Sequence, residues 1–447
     1  MDSIEASADK HVAIHEVLLE AYDSRIRYLE EHMKLSSEID IRTEFELVEK
    51  LIGLAWQSNY KGKPKNGLHH YRRAEKLLAE MSKAHDGVLN FTVDAPNGKP
   101  VIAKEHLALR KTFVMNNIGN CLSNMGAVQK AIDQHEKTLK LRESLLDRFP
   151  DSFEAKRQVG VSLANLTDLY FKTGDMRQGN EFEARDFHFQ RELWQQHPDL
   201  RWIGLNLSNS LANAARRKLE RGELDGATPL FSEAYELRKK IYFDAVNNVE
   251  STDGLGAFNF ADKYATSAYE FAAALLGTKF DEGQVQELID ESTNLLSELF
   301  RDYSENLGYR LRYSKSLETY SSFLLIRNNL DDATKKAELA NLIAIEAPKK
   351  EPNRVTRALR AQAINTSLLI AICYAHGQLD DEAKRKLVES INLTQVPPSY
   401  KENELGFLFS HVKKLNRIIP LSDDEFVNEY LGKLKNKRLV KELRKIF

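Results

Sequence analysis

The chain has 447 residues, of which 42% are hydrophobic, and its 64 Lys and Arg against 66 Asp and Glu leave a net charge of −2. This hydrophobic content is too high for a disordered chain, and the even charge balance does not indicate a dedicated DNA-binding protein. The length suits two or three ordinary domains or one long solenoid.

The N-terminal residues argue against an exported or membrane-bound protein. Residues 1–20 carry several acidic side chains and lack the basic start and apolar core of a signal peptide. No run approaches 18 apolar residues, so the sequence predicts no membrane span and a soluble, cytoplasmic protein. Cys121 and Cys373 lie far apart in apolar helical patterns, and we interpret them as buried, reduced thiols.

An amphipathic helix is predicted over residues 4–34, where it could cover the exposed end of a helical array. Within it, His11 and His15 lie one turn apart. No third ligand follows at a recognisable spacing, so we interpret them as a surface pair rather than a metal site.

A first helical hairpin is predicted over residues 42–60 and 67–84, with Gly53 matched to a small contact position of the later repeats. The basic connection, residues 61–67, is longer than the turns elsewhere. Its glycines do not have the spacing that lets a phosphate-binding loop cradle its ligand, which favours a solvated loop.

Residues 87–103 interrupt the helical pattern. A stretch of high β-propensity leads into a strong turn signal at Asp94–Gly98, and Pro100–Ala103 follows. We predict a short β-hairpin inserted between repeats. Insertions of this kind lie on one face of a solenoid, but a bracing or disordered loop would have the same pattern.

Residues 105–248 contain three copies of one unit, with a step of 48 residues. Equivalent positions hold an asparagine (Asn117, Asn165, Asn213), a glycine (Gly126, Gly174, Gly222) and, in two copies, Pro150 and Pro198. Each unit is interpreted as a helix, a turn in which glycine takes the left-handed conformation, and a second helix that ends before the proline. Small residues seven before and five after the glycine would let the two helices pack closely.

The repeat resembles the tetratricopeptide-repeat (TPR) family. Asn117-Ile118-Gly119-Asn120 is similar to the Asn-Leu-Gly-Asn of that family's first helix, and Gly222–Ala227 is similar to its turn and second helix. The usual unit has 34 residues, whereas these helices are longer. The resemblance implies an all-α fold, a right-handed α-solenoid of TPR-like helical hairpins. His135, Glu183 and Asp186 depart from the pattern.

Beyond residue 248 the step loosens but helical pairs continue. They are predicted over 255–277 and 282–303, over 307–327 and 331–346, and over 354–376 and 380–391, before C-terminal helices over 401–417 and 423–446. The domains expected are a capping helix with the first hairpin (1–86), the insertion (87–104), the TPR-like array (105–391) and C-terminal capping helices (392–447).

The last predicted helix has a basic face, formed by Lys433, Lys435, Lys437, Arg438, Lys441, Arg444 and Lys445. Such a face can bind an acidic partner or nucleic acid. A solvated face on a capping helix is the preferred interpretation, because cations near a helix C-terminus are favourable.

The sequence carries no recognised catalytic motif, so we predict a non-enzymatic protein without a cofactor. The positive signal is the first helix of each repeat, which in the TPR family lines the concave groove. The resemblance therefore places partner-binding residues at Phe113, Asn116, Asn117, Asn120, Asn165, Asp168, Phe171, Asn209, Asn213 and Arg216. An asparagine amide both donates and accepts, and so pairs with an extended peptide backbone. Alternatively, these amides bond neighbouring helices and stabilise the stack.

The function expected is an adaptor that binds a protein or peptide. A regulatory or sensor subunit controlling a separate enzyme, as in bacterial signalling or defence systems, is an alternative suggested by the family. A nucleic-acid role through the basic C-terminal helix is a second alternative.

Overall fold

The computed structural model describes residues 2–35, 41–60, 62–84, 92–94, 100–247, 258–345 and 354–394. The first helices are α1 Asp2–Leu35, α2 Ile41–Tyr60, α3 Pro64–Ala84, α4 Ala103–Asn124, α5 Val128–Arg148, α6 Phe153–Thr173, α7 Met176–Gln196 and α8 Arg201–Glu220. The remaining helices are α9 Leu224–Asn247, α10 Phe258–Leu275, α11 Glu282–Asp302, α12 Leu307–Ile326, α13 Leu330–Ile345, α14 Arg354–His376 and α15 Asp380–Thr394.

The predicted all-helical repeat array is confirmed in this part of the chain. Consecutive helices contact one another from α1 to α7 and from α9 to α15, both within hairpins and between successive hairpins. The contacts divide the chain into two compact units, with the boundary between Ala214 and Ala215 inside α8. The boundaries predicted from the sequence at 86, 104 and 391 stay predictions.

One turn geometry recurs in six hairpins. The turn residue has a positive φ in every case: Gly62, Gly126, Gly174, Gly222, Asn328 and Gln378. The fifth residue after it is always small and buried: Gly67, Ala131, Gly179, Ala227, Ala333 and Ala383. Glycine was expected to adopt this conformation, and asparagine and glutamine take its place in the last two hairpins.

The small residues lie where the two helices of a hairpin are closest. A Cβ atom added to Gly67 would lie 2.9 Å from the carbonyl oxygen of Ala55. In a later hairpin the equivalent Ser321 donates to the carbonyl oxygen of Ala333 at 2.7 Å. Close approach of the backbones therefore explains why residues of this size recur seven before and five after the turn residue.

The first hairpin corrects two sequence interpretations. Because Pro64 begins α3, the connection after α2 is a tight turn through Gly62 rather than a long basic loop. Counted from that turn, the small contact position is Ala55, which is fully buried. Gly53 instead packs against the ring of Tyr22 in α1.

Side chains cap several helices at their N-termini. Ser152 accepts a hydrogen bond from the backbone N–H of Ala155, and Asp175, Asp281 and Asn306 cap α7, α11 and α12 in the same way. Pro229 was expected in the first turn of its helix. It is the sixth residue of α9, because that helix begins already at Leu224.

Each unit has its own hydrophobic core. In the first unit one core extends from α1 to α7 and includes Leu51, Ile118 and Leu166. In the second unit a core centred on α9, α10 and α11 includes Phe231 and reaches Phe323 of α12. These cores are made by the apolar faces that the helical periodicity predicts.

In the inserted segment, strand β1 Thr92–Asp94 pairs antiparallel with β2 Pro100–Ile102, with Val93 opposite Val101. The residues between these strands lie outside the described part. So do residues 395–447, which include the helices predicted over 401–417 and 423–446 and the basic run Lys433–Lys445. The side chains of His11 and His15 are also outside it.

Candidate functional site

The first helices of successive hairpins contact one another. In the first unit α4 contacts α6, and in the second unit α12 contacts both α10 and α14. Within each unit, we call these first helices the first-helix layer: α4 and α6 in the first unit, and α10, α12 and α14 in the second. It is the surface on which the resemblance places partner-binding side chains.

Asn116 does not face solvent. Its side chain is only 6% exposed, and its amide oxygen accepts hydrogen bonds from Arg142 at 3.3 Å and from Asn165 at 3.0 Å. The Asn116 amide therefore bonds neighbouring helices, as in the alternative interpretation, and offers little surface to a partner. Buried polar groups in folded proteins nearly always have hydrogen-bond partners, as the Asn116 amide oxygen does here.

Arg142 of α5 is the centre of this buried network. It is 2% exposed and donates to the carbonyl oxygen of Gln158 and to the hydroxyl of Ser162, both at 2.7 Å. A further bond reaches the carbonyl oxygen of Thr112 at 3.3 Å. One guanidinium thus joins α4, α5 and α6. Burial lowers the pKa of Arg142 to about 9, which still leaves it charged at neutral pH.

Asn117 and Asn165 remain half-buried, with part of each side chain reachable from solvent. The Asn117 amide donates to the carbonyl oxygen of Phe113 in the preceding turn at 2.9 Å. Asn165 donates to Asn116, across the contact between α6 and α4. The Phe113 ring is half-buried under the guanidinium of Arg110, whose carbon lies 4.8 Å from the ring centroid.

The other residues predicted in the first two repeats differ in exposure. Asn120 and Phe171 are half-buried, whereas Asp168 is exposed. The Phe171 ring packs over Gly179 of α7, where an added Cβ would lie 2.8 Å from it. Phe171 therefore contributes to the closure of its own hairpin.

The three residues predicted on α8 fall on both sides of the unit boundary. Asn209 and Asn213 are half-buried and belong to the first unit, and Arg216 belongs to the second. Arg216 makes a two-point ion pair with Glu270 of α10, with both N–O distances at 2.8 Å. The structure therefore brings together Asn116, Asn117 and Asn165, and places Arg216 in a separate charged setting.

Sequence reasoning missed the buried polar residues of the second helices. Arg142, Gln190 and Arg238 are equivalent positions, 48 residues apart, and all are almost fully buried. Their spacing equals that of the asparagines, which was the available signal. Their burial could not be read from it, because long polar side chains are ordinarily exposed.

The described residues contain neither a candidate metal cluster nor an exposed cysteine. No cluster of three or more His, Cys, Asp or Glu among them could hold a metal ion. Both cysteines are buried, and burial raises the pKa of Cys121 to about 11 and that of Cys373 above its usual value. A thiol with a raised pKa is a poor nucleophile, which fits the structural role expected.

One stretch of the described helices, Ala358–His376, is long and apolar enough to cross a membrane by composition. Of this window, 72% is buried inside the protein. It forms all but the first turn of α14, which packs against α12, α13 and α15, and this explains its apolar composition.

The comparison with known families identifies the repeat. A tetratricopeptide-repeat family model matches residues 114–154, which span the second half of α4, all of α5 and the start of α6. This segment contains Asn117, Gly126 and Ala131, the residues on which the resemblance rests. No curated protein sequence matches the chain.

Several solved structures are similar at low identity. BtubC (BKLC) from P. vanneervenii is 15% identical, with 62% of this chain and 94% of that chain covered and a TM-score of 0.44. Human IFIT1, solved as a dimer with m7Gppp-AAAA, is 13% identical. The match covers 96% of this chain and 93% of that chain, with a TM-score of 0.32. A circular tandem repeat protein is 13% identical, with 99% of this chain and 98% of that chain covered and a TM-score of 0.29.

The protein is therefore a helical tandem-repeat protein. Its repeats are TPR-like, and the family match itself covers one of them. Five further hairpins share its turn geometry and the small residues around the turn.

Proposed function

We propose that this protein is a non-enzymatic scaffold that binds a partner protein or peptide on its first-helix layer. The observation that supports this most directly is the pair Asn117 and Asn165. Both are partly exposed, both lie on contacting first helices, and both occupy equivalent places in the repeat.

Their amides keep hydrogen-bonding capacity for a partner. An asparagine side chain has two N–H donors and one oxygen acceptor. In each of the two residues, the hydrogen bond described above uses one N–H. The second N–H and the oxygen can therefore pair with the N–H and C=O of an extended peptide, which supports a peptide segment as the bound form.

The inserted segment is a second contact that we propose for the partner. Strands β1 and β2 both contact α4, the helix that carries Asn117. A partner seated on α4 and α6 would therefore lie beside the insertion, and deleting residues 87–101 would weaken binding without removing it.

The proposal is tested with a double variant, Asn117→Ala with Asn165→Ala. The partner is first identified by affinity purification and mass spectrometry from cells of the source organism, and its affinity is then measured with purified proteins. We expect the double variant to keep its circular dichroism spectrum and to bind the partner about tenfold more weakly, the loss of one or two hydrogen bonds.

The matched control is Asn294→Ala, which removes an exposed asparagine from the second helix α11. It should bind as the unaltered protein does. Recovery of no stoichiometric partner, or full affinity in a folded double variant, would overturn the proposed surface.

A further inference from the structure

A group of charged side chains gathers around Lys263 of α10, within the second unit. We call it the Lys263 cluster, and it contains four cations and two carboxylates: Arg216, Arg238, Lys263, Arg312, Asp262 and Glu270. These residues come from α8, α9, α10 and α12, so the tertiary structure and not the sequence order assembles them.

One carboxylate in the cluster serves two cations. Asp262 Oδ2 lies 3.3 Å from Arg312 Nη1 and 3.9 Å from Lys263 Nζ. The other carboxylate, Glu270, is engaged at both oxygens by Arg216. Among these six residues the four cations outnumber the two carboxylates.

Arg238 is the buried cation of the cluster. It is 3% exposed, and its Nη1 donates to the carbonyl oxygen of Lys263 at 3.4 Å. The pKa of Lys263 lies below its ordinary value, because burial and the nearby Arg312, Arg238 and Arg216 together outweigh Asp262. The shift agrees with the geometric count of charges.

The cluster is accessible from solvent. The side chains of Lys263, Arg312 and Arg216 are 36%, 27% and 39% exposed. Thr266 lies on the same face of α10, between Lys263 and Glu270, and its hydroxyl has no hydrogen-bond partner within the described part of the chain. A ligand would thus meet the partly exposed cations, whereas the Thr266 hydroxyl lies buried beneath them.

We propose that the Lys263 cluster binds a carboxylate side chain of an acidic peptide segment. This inference rests on the proposed function and specifies that the partner carries an acidic segment. An incoming carboxylate would supply the negative charge that Lys263 and Arg312 now share, in a half-buried setting where charge pairing is stronger than in water.

The surrounding charges favour a peptide over a nucleic acid. Glu318 of α12 is a third carboxylate, near Tyr269 as Glu270, Arg216 and Arg312 are, and it accepts a hydrogen bond from Gln362 of α14 at 2.6 Å. Carboxylates are therefore interleaved with the cations. A nucleic-acid backbone needs a run of cations that follows its phosphates, whereas a single carboxylate side chain needs only the pair Lys263 and Arg312.

The test uses the full chain and fluorescein-labelled hexaglutamate, with binding followed by fluorescence anisotropy at low salt. Lys263→Gln should weaken binding about fivefold, the effect of one charge at contact distance. Glu270→Gln should strengthen it by a similar factor, because it removes a negative charge but keeps an amide that can bond Arg216. The control, Lys335→Gln, removes an exposed lysine from α13 and should change nothing.

Opposite shifts for Lys263→Gln and Glu270→Gln identify the site, since unfolding would weaken both. The inference is overturned if the unaltered protein does not bind hexaglutamate, if Lys263→Gln binds as well as Lys335→Gln, or if a single-stranded oligonucleotide binds more tightly and loses affinity in Lys263→Gln. None of these outcomes affects the scaffold proposal, which fails only if the Asn117 and Asn165 variant keeps its partner or no partner exists.

Discussion

At the residue scale, His135 and Gly119 form a matched pair between α5 and α4. A Cβ added to Gly119 would lie 2.5 Å from His135 Nε2, so only glycine fits against this ring. His135 is 1% exposed, and its Nδ1 has no hydrogen-bond partner among the described residues. The departure from the family pattern at His135 is thus accommodated by Gly119.

Burial, with a smaller contribution from Arg142, lowers the pKa of His135 to about 4. In the unfolded chain the histidine is protonated below about pH 6.5, whereas in the folded protein it stays neutral down to about pH 4. The folded protein should therefore lose stability as the pH falls from about 6.5 toward 4. Relative to a His135→Gln variant, the protein should lose about 2 kcal/mol between about pH 7.5 and about pH 5. Urea unfolding of both proteins at the two pH values measures this; an equal pH dependence would contradict it.

Substitution of Arg142 should destabilise the contacts among α4, α5 and α6. Arg142→Met leaves the oxygens of Asn116, Gln158 and Thr112 without their buried donor, and we expect a loss of about 3 kcal/mol in the free energy of unfolding. Lys140→Met, two residues earlier on the exposed side of α5, should stay within about 0.5 kcal/mol of the unaltered protein. A stability for Arg142→Met equal to that of this control would show that the network is dispensable.

At the scale of the element, the turn residue decides how a hairpin closes. Gly126, Gly174 and Gly222 have φ near +80°, with values of 79°, 81° and 77°. Asn328 and Gln378 adopt the same region at 58° and 60°. Asparagine tolerates this conformation, whereas glutamine does so at a cost of about 1 kcal/mol.

Gln378→Gly should therefore stabilise the last described hairpin, α14 and α15. The relief of backbone strain exceeds the greater entropy of glycine in the unfolded chain, and we expect a gain of about 0.5 kcal/mol. Gln378→Ala keeps the strain and serves as the control. Thermal unfolding followed by circular dichroism compares the three proteins, and a lower midpoint for the glycine variant would refute the assignment of strain.

At the scale of the whole molecule, the chain consists of two units with separate cores. All three tryptophans, Trp56, Trp194 and Trp202, belong to the first unit. Tryptophan fluorescence therefore reports on that unit, while far-ultraviolet circular dichroism reports on helices in both. Repeat arrays lose stability locally because each repeat contacts mainly its neighbours.

Phe323→Ala tests this independence. Phe323 is fully buried in the core of the second unit, and its truncation should cost that unit about 3–5 kcal/mol. We expect the circular dichroism transition to broaden toward lower denaturant while the fluorescence midpoint stays unchanged. Arg142→Met should do the opposite and shift the fluorescence midpoint. A common shift of both signals by Phe323→Ala would mean that the units unfold together.

The sequence alone determined the helical repeat, because a period of 48 residues and a glycine turn followed by a small residue are local signals. It placed most helix ends within a few residues, and it failed at Pro64 and Pro229, where the helix begins before the expected position. These starts depend on capping and packing, which periodicity does not record.

Only the tertiary structure decided which polar residues are available to a partner. Asn116 and Asn117 are neighbours in sequence, yet one is buried around Arg142 and the other stays partly exposed. The Lys263 cluster likewise joins four helices whose spacing shows no motif. Burial and charge pairing depend on which helices meet, and that is a property of the folded chain rather than of any local pattern.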